Sequence, residues 1–172
     1  MKTIILILSV TVMILSSCTM VRFEQPQPVN TKALKEFPSS WVGVYIADQD
    51  TAFVKSNSYK FGKEAESFLS PDKAVLKRIG DYYVLSSKQE EGDWDVILIK
   101  PIYNGLEVYG IDYDKNEELI IDNLKKIISV KEIKKGESNK SERYVINPGK
   151  REFMNLIKKD QFRSLGRLLK IR

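Results

Sequence analysis

A chain of 172 residues with no histidine and a single cysteine forms no disulfide of its own, and it excludes Ser-His-Asp and Cys-His catalysis and histidine-based metal sites. Its 28 basic and 23 acidic side chains give a net charge of +5, and neither the GxxxxGK[ST] nor the GxGxxG glycine pattern occurs, so nucleotide binding by those loops is excluded as well. The length suits one domain with its own core.

Lys2 is the only charged residue before Arg22, and Ile4 to Leu15 is an apolar run broken only by Ser9 and Thr11. That run is about a dozen residues long, and a spanning helix needs roughly 20. A positive start, a short apolar stretch and small residues after it predict a secretory signal peptide over residues 1–17. Leu15-Ser16-Ser17-Cys18 resembles the lipobox of bacterial lipoproteins. The resemblance implies cleavage before Cys18, lipid on its thiol and new amine, and an envelope protein whose first partner is a membrane. Two or three acyl chains hold firmly, because each buried methylene contributes about 0.8 kcal/mol. Thr19 replaces the aspartate that retains enteric-type lipoproteins in the inner membrane, which points to the outer one. Nucleic acid is not an expected partner at this address.

Residues 18–33 carry Pro26 and Pro28, few apolar residues and no periodicity, and are expected to be a lipidated tether reaching at most about 45 Å. A single domain is expected over residues 34–172. Trp41 to Ala47 is aromatic and β-branched and predicts a strand, and Thr51–Lys55 returns after the turn at Asp48-Gln49-Asp50. Ser58–Phe61 is a short third strand, whereas Glu64 to Asp72 is ambiguous, with a helical turn over Glu64–Leu69 that Pro71 would stop as one reading. Ala74–Ile79, Tyr82–Ser87, Trp94–Lys100 and Leu106–Ile111 are strands separated by glycine turns, and they predict an antiparallel meander. Asn104-Gly105 is expected to supply the central pair of a type I′ hairpin turn.

Past Asp112 the period changes. Leu119, Ile120, Leu124, Ile127 and Ile128 share one face of a helix expected over about 116–128. Val130–Ile133 and Arg143–Ile146 predict two more strands, and Asn147-Pro148 opens a second helix over about 148–159 with Phe153, Leu156 and Ile157 as its buried stripe. Gly166 to Ile171 closes the chain as a strand. The class expected is therefore α+β: a mainly antiparallel curved sheet or small β-barrel with two short helices near the C-terminal part.

Trp41-x-Gly43-x-Tyr45 resembles the aromatic-glycine opening of small lipocalin-like envelope lipoproteins, although the order of tryptophan and glycine is reversed from that family's motif. The resemblance implies a barrel in which the aromatic closes the floor. Tyrosines at alternate strand positions, with the two tryptophans, could line an apolar groove. Trp41, Tyr45, Tyr83 and Trp94 are the candidate ligand-binding residues.

Chemistry is sparse. Asp93 and Asp95 flank Trp94 and are the only pair suggesting a carboxylate-only hydrolase, but they sit beside Gly92 where aspartate favours turns. Asp112-x-Asp114-x-Asn116 begins like a calcium loop, yet Glu117 and Asn123 stand where glycine and glutamate are required, so no metal or other cofactor is expected. Without residues 1–17, 27 basic side chains face 23 acidic ones. Residues 18–124 carry 12 basic and 18 acidic groups, while residues 125–172 carry 15 and 5, a basic region from Lys125 onward that includes Lys158 and Lys159. The function expected is a non-enzymatic, membrane-anchored envelope lipoprotein that binds a small apolar ligand or a partner protein. The rival is an accessory subunit of an envelope complex that docks through the basic region.

Overall fold

The structure is a computed structural model and describes residues 20–47, 50–111, 117–134 and 141–171. Cys18 and the expected signal segment, the Asp48-Gln49 turn and the Asp112–Asn116 cluster lie outside the described residues. Among the described residues the strands are β1 (Met20–Phe23), β2 (Gly43–Ala47), β3 (Asp50–Val54), β4 (Ser58–Phe61), β5 (Ser67–Phe68), β6 (Ala74–Ile79), β7 (Tyr82–Lys88), β8 (Trp94–Ile102), β9 (Gly105–Gly110), β10 (Val130–Lys134), β11 (Ser141–Ile146) and β12 (Arg163–Lys170). The helices are α1 (Glu117–Lys125) and α2 (Lys150–Lys158).

All the strands join one mostly antiparallel sheet, as expected for the class. The meander β6-β7-β8-β9 is present in consecutive antiparallel order, with Leu85 opposite Ile97 and Ile99 opposite Val108. From β9 the sheet continues through β12, β2, β3, β4 and β5. It does not close: its path runs from β10 at one end to β5 at the other, and a single bridge between Ser70 and Ala74 links the chain after β5 to the start of β6.

The expected tether is corrected at once. Residues 20–23 form a strand that runs parallel to β11, from Met20 opposite Arg143 to Phe23 opposite Ile146, and Phe23 also pairs with Trp94. Phe23, Gln27 and Pro28 are fully buried. Lys77 donates from Nζ to the carbonyls of Pro26 and Pro28 at 3.0 Å each, and the Gln27 N–H donates to Ser86 Oγ at 3.0 Å. Two prolines and the lack of periodicity hid this, because the strand's partner lies far along the chain, while Val21 and Phe23 pack into the core beneath the helices.

Two turn expectations also change. The hairpin between β8 and β9 exists, but its loop is Tyr103-Asn104, with Ile102 opposite Gly105. Gly105 is instead a strand residue, where a Cβ would lie 1.9 Å from the Leu168 carbonyl oxygen of β12. Helix α2 starts after Gly149, whose N–H donates to the Glu152 carboxylate at 2.8 Å. The side chain of Asn147 is drawn elsewhere: it accepts from Gln25 Nε2 and donates to Glu24 Oε2, both at 2.7 Å. Glu64 to Asp72 contains the short β5, not a helical turn.

The sheet separates two cores. On one face Phe23, Val84, Trp94, Val96 and Leu98 pack under Leu124 of α1 and Phe153 and Leu156 of α2. On the other, Tyr45, Ala52, Val54, Leu76, Leu85, Ile99 and Leu106 pack with Phe37 and Trp41. Strand β8 serves both, since alternate side chains leave opposite faces: Val96 and Leu98 to the helices, Ile97 and Ile99 away from them.

Candidate functional site

The second core is not filled. A cavity of about 440 Å³ lies inside the curve of the sheet, within the range of small-molecule sites. Ala52, Val54, Leu85, Ile97, Ile99 and Leu106 are among the residues of its wall. The strand register puts these side chains on one face. Ala52 on β3, Leu85 on β7, Ile97 and Ile99 on β8 and Leu106 on β9 all alternate with residues that face the other way.

The opening has a structural cause. β12 pairs with β2 only at Leu169 and Lys170, although it pairs with β9 from Arg163 to Leu169. Between Ser164 and Gly166 its register shifts, and Leu165 is the extra residue of the bulge. Leu165, Gly166, Phe53 and Phe61 all border the cavity, and Leu165, Phe53 and Phe61 are exposed, so they form an apolar rim. The Arg167 guanidinium, 3.4 Å from Glu107, also borders the cavity, as do Asp50 and Lys60.

Of the four candidate residues, Trp41 is on the wall. It is carried by a 3-10 turn, Ser39–Trp41, and its ring meets Tyr83 edge-on at 4.6 Å. Tyr45 is buried just beyond, with its hydroxyl donating to the Trp41 carbonyl at 2.6 Å, and burial pushes its pKa up. It braces the tryptophan and does not border the cavity. Tyr83 is likewise a support, packed between Trp41 and the Arg78 guanidinium, which lies 5.5 Å from its ring centroid. Trp94 does not line the cavity: it is in the core beneath the helices, on the opposite face of the sheet. Aromatic character guided the choice, whereas strand parity decides which face a side chain takes. The aliphatic positions Leu85, Ile97, Ile99 and Leu106 were missed for the same reason, and the two-faced apolar run of β8 was the signal for them.

The carboxylate pair is used for structure. Asp93 pairs with Arg143 Nε of β11 at 2.7 Å, and Asp95 pairs with Arg22 of β1. Each ties the start of β8 to a strand from a distant part of the chain. Burial still raises the Asp95 pKa above the ordinary carboxylate range, partly offset by Arg22.

Among the described residues no helix is long and apolar enough to cross a membrane, and no group of three or more His, Cys, Asp or Glu side chains could hold a metal ion. No protein-family model matches the chain, and no curated protein or solved structure matches it.

Proposed function

We propose that this protein is an envelope lipoprotein, lipidated at Cys18 and held in the outer membrane, whose curved sheet acts as a small, nearly closed barrel for an apolar ligand. The observation that carries the reading is the unfilled apolar cavity of about 440 Å³ between β3, β7, β8 and β9. A cavity lined by such side chains favours an apolar occupant, at roughly 25 cal/mol per Å² of apolar surface removed from water. The role is carriage or sensing and involves no catalysis.

Native mass spectrometry on the protein released gently from its own membranes tests this. A small added mass beyond the Cys18 lipids is the expected result, and Leu85→Asp should abolish it by placing a charge in the wall. A protein whose only added mass is the lipid on Cys18, with no uptake of an apolar dye by the purified domain, would sink the carrier reading. Cys18→Ser should give a form that takes up no labelled fatty acid; persistent labelling would overturn the anchoring.

A further inference from the structure

The cavity has a polar end. Tyr59, Phe61, Leu85 and Ile97 border both it and a second, more polar basin of about 780 Å³. The two spaces therefore adjoin along these four side chains. At the junction the Tyr59 hydroxyl and Ser87 Oγ are 2.8 Å apart in a hydrogen bond, with Ser67 opposite Tyr59 across the β4–β5 pair. Gln89, also on the basin wall, donates its amide to the Ser87 carbonyl at 3.2 Å.

The charges near this junction are paired or lie toward its margin: Lys60, which borders the cavity beside Tyr59, is half-exposed and, after Lys55 and Ser58, helps lower the Glu66 pKa. Asp95 is paired with Arg22, and the Lys88 ammonium lies 5.8 Å from the Trp94 ring centroid, on the helix side of the sheet. Glu64, Asp72, Lys73 and Glu90 border the basin but are exposed at its margin, where solvent screens them. What the inner end offers a ligand is therefore hydroxyl and amide groups without a net charge. A bare ion placed there would give up water for partners that do not compensate it.

Resting on the cavity reading, we propose that the ligand is a single-chain amphiphile with an uncharged, hydroxylated head, of the glycerol-ester or glycoside kind. Its alkyl chain occupies the cavity, and its head hydroxyls exchange hydrogen bonds with Tyr59, Ser67 and Ser87. The volume suits one chain and not two: 440 Å³ at about 30 Å³ per water-sized group holds roughly 15 such groups.

The test is a binding series on the purified full-length protein below micellar concentrations. Diphenylhexatriene reports the apolar cavity alone; monolauroylglycerol, dodecanoate and dodecyltrimethylammonium share a tail length and differ in the head. Monolauroylglycerol should bind at least about tenfold tighter than either ion, and Tyr59→Phe with Ser87→Ala should cost it about fivefold, a larger loss than diphenylhexatriene suffers from the same change. Equal or tighter binding of an ion, or a loss of monolauroylglycerol in the double variant no larger than that of diphenylhexatriene, overturns the head seat and leaves the cavity standing. If diphenylhexatriene and all tailed probes fail to bind, the cavity reading falls and this inference falls with it.

Discussion

Gly105→Ala is the sharpest single test of how the sheet is built around the cavity. A methyl group at this position would meet the Leu168 carbonyl oxygen at 1.9 Å, and such contacts do not persist below 3.0 Å. The end of β9 must therefore move from β12 by at least about 1.1 Å, the difference between those two distances. The hydrogen bond from the Lys170 N–H to the Asn104 carbonyl, 2.8 Å long, would then stretch beyond bonding range. Losing one or two such bonds at about 1 kcal/mol each, with disturbed packing of Leu106 and Leu168, predicts destabilisation of about 2–4 kcal/mol. Urea unfolding with an unchanged denaturant slope measures it. Gly80→Ala is the control, since a Cβ there meets nothing within 4 Å and only the left-handed backbone, φ +56°, resists it. That variant should cost about 1 kcal/mol. A Gly105→Ala protein within about 0.5 kcal/mol of wild type would refute the strand contact.

Three further outcomes follow from the geometry. A brominated alkyl chain bound in the cavity should quench Trp41 in a Trp94→Phe protein but leave Trp94 emission unchanged in a Trp41→Phe protein; quenching of Trp94 would contradict its placement on the far face. Lys77→Met should lower stability by about 2 kcal/mol by removing two charge-assisted hydrogen bonds, and should open residues 24–32 to protease; an unaltered digestion pattern would exclude the latch. Burial first, and then the hydrogen bond to Glu107 at 2.8 Å, raise the Tyr109 pKa to about 12. The folded state holds that proton more tightly than the unfolded chain, so its contribution is intact below pH 10 and is lost as pH rises through about 12. Phenol absorbance should find Tyr109 titrating near that value, and Glu107→Gln should lower it.

The parts of the fold legible in the sequence are those stabilised locally. The β6–β9 meander announces itself through alternating runs and glycine turns, and α2 through the spacing of Phe153 and Leu156. What stayed hidden depends on distant partners. β1 is only four residues long and pairs with a strand more than a hundred residues away, so neither its length nor its composition marks it as a strand. The cavity is equally non-local. It arises because β12 leaves β2 after two paired residues and bulges at Leu165, a mismatch between strands that no window of the chain contains. Tryptophan and tyrosine drew the search for a site, while the wall is chiefly Leu, Ile, Val and Ala, residues that any core would use.

The strand formed by Met20–Phe23 changes what a lipid on Cys18 would do mechanically. Thr19 alone separates that cysteine from a strand wedged between β8 and β11. One residue spans at most about 3.5 Å, so a lipid attached at Cys18 would leave the strand almost no leash. A domain mounted this way cannot sweep the space above its membrane or turn freely to present different faces. Lipid on Cys18 would hold one side of the sheet near a fixed height, and any exchange of a ligand would then take place where the headgroups begin.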